Sequence, residues 1–127
     1  MRAQAALLPV TLLSCERVEQ GRYRARWRLE NRSSDSLSLL ETWIPHEKFK
    51  GDRIVHAPAL SLPPGGSSDI QQVVSFDPAN AGLENSFVVL RLSGPGGEEP
   101  FRLFARLRVD VEGDRVLPRV VKVTLGV

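Results

Sequence analysis

The sequence predicts an all-β protein, a single antiparallel sandwich of two sheets with about seven or eight strands. Three observations carry this reading. Residues Arg22-Tyr23-Arg24-Ala25-Arg26-Trp27-Arg28-Leu29 alternate arginine with an apolar or aromatic residue. Successive side chains of a strand point to opposite faces, so this segment has one buried face and one arginine face, whereas a helix would scatter the same residues around its circumference. Apolar alternation of this kind recurs along the chain, and no helical period is sustained over a helix length. Turn chemistry separates the runs at regular spacing, the pattern of a sandwich or small barrel.

In chain order, Leu8 to Val18 reads as the first strand, and Gln20-Gly21 supplies a tight turn into a second strand from Arg22 to about Arg32. Asn31 to Ser36 is a polar loop whose residues satisfy turn backbones locally. Leu37 to Ile44 is a third strand, stopped by Pro45, which has no N–H for a ladder. His46 to Asp52 is a polar connection, Arg53 to Ala57 a short edge strand, and Pro63-Pro64-Gly65-Gly66 the strongest breaker in the chain. Asp69 to Phe76 is the next strand, followed by a loop, Asp77 to Leu83, with room for one helical turn. Ser86 to Leu92 and Phe101 to Val109 flank Gly94-Pro95-Gly96-Gly97 as a hairpin, and Glu112-Gly113-Asp114 turns into a last strand, Val116 to Leu125. There is no internal repeat, linker or composition break, so one domain spans 1–127.

A chain of 127 residues is large enough to bury a core without metals or disulfides. Its 42% hydrophobic and 25% charged residues are those of an ordinary soluble globular protein, which makes disorder and membrane spanning poor readings. The formal charge of +2 is too small for a nucleic-acid-binding composition. Lysine occurs only at Lys48, Lys50 and Lys122, an arginine bias that reads first as a codon or growth-temperature signature and second as a preference for phosphate or carboxylate ligands. Cys15 is the single cysteine, which excludes an intramolecular disulfide and a cysteine-based zinc site and favours a reducing, cytoplasmic compartment. Met1-Arg2, Ala5 to Leu8 and Leu12-Leu13-Ser14-Cys15 have the outline of a bacterial lipoprotein signal ending at a lipidated Cys15, with a periplasmic or membrane-anchored location as the corresponding alternative. The apolar run is short and interrupted by Gln4, Pro9 and Thr11, and cleavage before Cys15 would remove much of the first strand, so a structural strand is the preferred reading.

The run Arg24-Ala25-Arg26-Trp27-Arg28-Leu29-Glu30-Asn31-Arg32-Ser33 resembles the second strand of bacterial immunoglobulin-like and fibronectin-III-like domains. Leu60 to Gly66, followed by Ile70 and Val74, is similar to the Pro-Gly turn such domains place before a mid-chain strand. The resemblance covers about a third of the chain and implies an immunoglobulin-like sandwich. Adhesion modules, chaperone-like subunits, inhibitors and accessory domains of enzymes share these features, so the fold does not name the function. The antibody-type pair of core cysteines is absent.

Pairing about Gln20-Gly21 sets Glu19 opposite Arg22, Val18 opposite Tyr23, Arg17 opposite Arg24 and Cys15 opposite Arg26. Tyr23, Ala25, Trp27 and Leu29 then face the core with Val10 and Leu12, while Arg22, Arg24, Arg26 and Arg28 form an outer face. This register turns Glu16 inward, so a bulge or slip is expected near it. Beside Arg26, Cys15 would be favoured as thiolate. A second strand repeats the design with Arg102, Arg106 and Arg108 outward, and Phe104 falls among them as a stacking partner or an anchor for a ligand protein. In an immunoglobulin-like order these are two separate patches, partly neutralised by Glu16, Glu19, Glu30, Asp110, Glu112 and Asp114. Two readings apply: a solvated face whose charges discourage edge-to-edge association, or a surface for an anionic or protein partner.

His46-Glu47-Lys48-Phe49-Lys50-Gly51-Asp52-Arg53-Ile54-Val55-His56 contains both histidines. His46, Glu47, Asp52 and His56 are ligand types for a divalent metal, but their spacing matches no metal motif, and Lys48, Lys50 and Arg53 repel a cation. No local signature marks Cys15 as a nucleophile, and neither glycine stretch precedes a helix as a phosphate loop does. Nucleic-acid binding is disfavoured because Tyr23 and Trp27 alternate to the buried side. The long β-branched strand Val116 to Leu125, with Pro118, is an edge that pairs with its neighbours or accepts a partner strand or a second copy of the chain. The reading as a whole is a non-catalytic binding or interaction module without a cofactor. Its partner is another protein or a second copy, met through an arginine face, the Gly94 to Pro100 loop or the His46 to Asp52 loop. The alternatives are a small metal protein or enzyme using His46, Glu47, Asp52 and His56, and polyanion binding on the arginine faces.

Overall fold

The computed structural model describes residues 4–126; Met1 and Arg2 of the lipoprotein-like segment lie outside the described residues. Eight antiparallel strands account for most of it: β1 (Val10–Glu19), β2 (Arg22–Glu30), β3 (Leu37–Ile44), β4 (Phe49–Leu62), β5 (Ser67–Phe76), β6 (Leu83–Ser93), β7 (Phe101–Glu112) and β8 (Arg115–Gly126). Single 3-10 turns lie at Ala5–Leu7, Pro78–Asn80 and Pro95–Gly97, the second in the loop expected to hold a helical turn. The β1–β2 hairpin closes at Gly21, whose φ of +75° is open to glycine at no steric cost. Among the described residues, no helix is long and apolar enough to cross a membrane.

Hydrogen bonds gather all eight strands into one sheet in the order β1-β2-β5-β4-β3-β6-β7-β8. The ends of that order, β1 and β8, lie alongside each other without a ladder, so the sheet is curled into a nearly closed barrel. Two hydrogen-bonded sheets were expected. The difference arises at β4, which starts at Phe49 inside the segment read as a polar connection and runs on to Leu62. Its first residues pair with β5 as Phe49–Phe76, Lys50–Ser75 and Gly51–Val74, and this short ladder joins the β1-β2-β5 half to the β4-β3-β6-β7-β8 half. Phe49 drives this: flanked by Lys48 and Lys50, its ring is nevertheless fully buried, edge-to-face with Phe76 at 5.6 Å.

The core fills the barrel with the inward residues of every strand, Trp27, Leu29, Leu39, Ile44, Leu62, Leu90, Leu103 and Leu107 among them, all fully buried. Each such aliphatic side chain contributes about 1.5–3 kcal/mol relative to exposure. Asn31, also fully buried, ends β2: its amide nitrogen donates to the Asp35 and Leu62 carbonyls at 2.8 Å each, and its Oδ1 accepts from the Ser33 N–H and hydroxyl. It thereby ties the 31–36 loop to the end of β4.

Strand registers decide which residues reach the outside. On β1, Val10 and Leu12 oppose Leu29 and Trp27 on the inner face, as the alternation predicts. Irregularities at Leu13 and Val18 each absorb one residue. The slip at Val18 sets Glu16 opposite Arg24 and Cys15 opposite Ala25, and Arg17 opposite Tyr23. The expected pairs Arg17–Arg24, Cys15–Arg26 and Val18–Tyr23 are thereby replaced, and Glu16 escapes the interior. On β3, Leu40 is an extra residue relative to β6: Leu39 pairs with Leu92, but Glu41 pairs with Arg91. Beyond this bulge Thr42 and Ile44 turn inward, and Trp43 turns outward.

Candidate functional site: an aromatic and arginine face on β3, β6 and β7

Past the Leu40 bulge, the outer face of β3, β6, β7 and β8 carries a row of paired residues, Trp43–Val89, Val89–Phe104 and Phe104–Thr124. Parallel rows flank it, Glu41–Arg91–Arg102 on one side and Phe87–Arg106–Lys122 on the other. Trp43, Phe87 and Phe104 are half-buried, and Val89 is covered beneath them. Phe87 and Phe104 meet edge-to-face at 6.3 Å and 90°. Phe104 lies so close over Gly126 that a Cβ there would run into its ring. Phe104 therefore packs on another aromatic ring rather than under a guanidinium.

Arginines gather about the indole instead. The Arg53 guanidinium carbon lies 4.4 Å from the Trp43 ring centre and that of Arg102 lies 5.9 Å away, both within cation–π reach. Arg53 and Arg91 share one carboxylate, Glu41, at 3.8 and 3.7 Å. Among the described residues, no carboxylate stands at ion-pair distance from Arg102, Arg106 or Lys122. Arg108 differs, since Asp110 and Glu84 hold it at 3.1 and 2.6 Å.

On the other arginine face, Arg22 and Arg28 are paired from within. Arg24, whose buried Nε has no hydrogen-bond partner, and Arg26 have no ion pair among the described residues. Arg28 makes a two-pronged contact with Asp69 at 2.8 and 3.2 Å, which holds the Asp69 carboxyl below its usual range and raises Arg28. Arg22 pairs with Glu19 at 2.8 Å, and Arg24 stands opposite Glu16. Arg26 is exposed and adds to the field that lowers Asp69. The arginines of this face stand on β2, with β1 and β8 between that strand and Arg102, Phe104, Arg106 and Arg108 on β7. The two arginine strands therefore present separate surfaces.

The histidine segment is dispersed. His46 lies in the connection before β4, where its Nδ1 accepts from the Lys48 N–H at 3.1 Å. His56 lies within β4, its Nε2 2.9 Å from Thr42 Oγ1, and burial lowers its pKa. Among the described residues, no three His, Cys, Asp or Glu side chains converge as a metal site requires, so His46, Glu47, Asp52 and His56 are not brought together. Cys15 lies mid-strand in β1. Burial, and then the Glu16 charge, push its thiol up to about 11, the reverse of the thiolate expected beside Arg26.

Adjoining clefts of about 430 and 240 Å³ cross the barrel end at Gln20, Gly21 and Pro78, and a third, of about 270 Å³, holds Cys15 and Tyr23. No histidine lines any of them, so none offers a Ser/His or Cys/His pair.

The sequence reading found Arg102, Phe104 and Arg106 but missed Trp43, Phe87, Val89, Arg53 and Arg91. Strict alternation from Leu37 and Leu39 carries Trp43 into the core, and only the extra residue at Leu40 brings it out. Phe87 and Arg91 were in view as alternates of Val88, Leu90 and Leu92, and the pairing of β6 between β3 and β7 makes them neighbours of Trp43 and Phe104. No family model matches the chain, and neither a curated protein nor a solved structure does.

Proposed function

We propose that this chain is a non-catalytic interaction module of immunoglobulin-like type that docks another protein on the outer face of β3, β6 and β7. The strand grouping supports the fold reading. In immunoglobulin domains strands A, B and E share one sheet and C, F and G the other. Here β1-β2-β5 and β3-β6-β7 are each contiguous. β4 pairs along β3 but also reaches β5, which joins the two groups.

One observation carries the functional reading: a half-exposed tryptophan with two arginines against it, beside two further aromatic rings. Tryptophan and arginine dominate the energetics of protein interfaces because they combine large apolar area with directed hydrogen bonding. A face needed only for solubility has no use for three aromatic rings. The neighbouring arginines set the partner's chemistry as one of complementary charge.

The test is affinity capture with wild-type, Phe104→Ser and Arg24→Glu baits in parallel, each checked for an unchanged melting curve. A partner held by wild type and Arg24→Glu but lost to Phe104→Ser supports the reading. A partner lost to Arg24→Glu and kept by Phe104→Ser moves the docking face to β2 and overturns it.

A further inference from the structure

We infer that the segment docked on this face is an acidic stretch of a protein chain whose carboxylates meet the guanidinium edges around Trp43. The inference rests on the docking reading above and adds the partner's chemistry. Arg53, Arg91, Arg102, Arg106 and Lys122 are answered from within the protein by Glu41 alone, among the described residues. Even Glu41 stands 3.7–3.8 Å from its two arginines, beyond hydrogen-bond distance.

The contrast with β2 is informative. There Asp69 grips Arg28 through two hydrogen bonds, and Glu19 holds Arg22. On β7 itself, Arg108 is fully engaged by Glu84 and Asp110. Arg24 and Arg26 on β2 also lack an ion pair among the described residues. Only beside the aromatic patch, however, do several unanswered cations gather around half-exposed rings, although the whole chain carries only +2. A guanidinium laid against an indole keeps its N–H donors at its rim, in the fork geometry that matches a carboxylate.

The ring arrangement selects a protein segment over single-stranded nucleic acid. Base stacking needs open ring faces in succession. Arg53 lies over Trp43, and Phe87 and Phe104 are perpendicular to each other. Apolar side chains interleaved with carboxylates fit the gaps between the rings, where bases find no parallel platform.

The test titrates the whole protein with a short peptide of repeated Asp-Glu-Phe, with its Asn-Gln-Phe analogue, and with oligothymidylate. Trp43 is half-exposed and Trp27 fully buried, so indole fluorescence reports on the site. The acidic peptide is expected to bind about tenfold tighter than the neutral one, and Arg102→Glu and Arg53→Glu to weaken it at least about tenfold each. Arg24→Glu, on the other face, should leave it within about twofold. Equal binding of both peptides, weakened in both by Phe104→Ser, overturns the acidic partner and leaves the docking face standing. Peptide binding indifferent to Phe104→Ser and Arg102→Glu, or no peptide binding, overturns both readings. Tighter binding of oligothymidylate overturns both in favour of nucleic acid.

Discussion

Thr42 Oγ1 and His56 Nε2 lie 2.9 Å apart across β3 and β4, joining a fully buried hydroxyl to a half-buried imidazole. Burial lowers the His56 pKa below its ordinary 6.5, so the unfolded chain takes up the proton first as pH falls. The stability held by neutral His56 is complete above 6.5 and is lost as pH falls from there through the folded-state value. Melting temperatures measured between about pH 7 and about pH 5 should therefore decline, and His56→Gln should reduce that slope. An unchanged slope in the variant would assign the decline to other groups.

Arg28 and Asp69 make a second, acid-sensitive tie. The Asp69 pKa is lowered first by its hydrogen bond to Arg28, so its contribution is present above the ordinary carboxyl value and is lost as pH falls through the lowered one. Asp69→Asn should lower stability slightly near neutrality and, by the same small amount, make the acid limb of the melting profile shallower, so that variant and wild type converge at low pH. Both groups are solvent-exposed, so added salt should shrink the difference between variant and wild type.

Asn31→Ala should destabilise the fold by about 3 kcal/mol. It leaves the buried Leu62 carbonyl and the Asp35 carbonyl without their donor and the Ser33 N–H without its acceptor. In urea unfolding the midpoint should fall with little change in slope, since the surface exposed on unfolding is the same. A midpoint within experimental error of wild type would show that water replaces these bonds without loss.

Cys15 should be slow to alkylate. With its thiol pushed up to about 11, almost none is ionised at neutral pH. Iodoacetamide should modify it far more slowly in the native protein than in urea, where its environment is removed. Equal rates would place the thiol in open solvent.

Gly126→Val places branched carbons where the Phe104 ring lies. The ring must move, which parts it from Phe87 at the edge of the docking face. Aromatic proton shifts of Phe87 and Phe104 should change, and acidic-peptide binding should weaken by about tenfold or less, with β2 signals unaltered. Unperturbed Phe87 signals would contradict the ring contact.

What the sequence made readable was strict local alternation. Tyr23, Ala25, Trp27 and Leu29 lie inward and Arg22 to Arg28 outward because β2 runs without a bulge between β1 and β5. Pro45 ended β3 at Ile44, and Gly21 closed its hairpin, by chemistry confined to those residues. Extra residues were harder to find. Leu13, Val18 and Leu40 carry no side-chain mark of a bulge, and each reversed the faces of all that followed it. The closing of two strand groups into one sheet depends on Phe49 meeting Phe76, a contact between distant segments that local pattern does not encode. The docking face shares this origin: its residues come from five strands, β3, β4, β6, β7 and β8, and only their assembly makes them neighbours.

The Leu40 bulge has a bearing on how such a surface arises and is lost. Deleting Leu40 itself would leave a regular strand with Trp43 still outward and Thr42 and Ile44 still inward. Deleting Thr42, just beyond the bulge, would instead send Trp43 into the barrel and push Ile44 to the outside. A one-residue deletion would thus erase the docking face and disturb the core together, with every remaining side chain unchanged. In this strand, chain length is inherited information as consequential as residue identity.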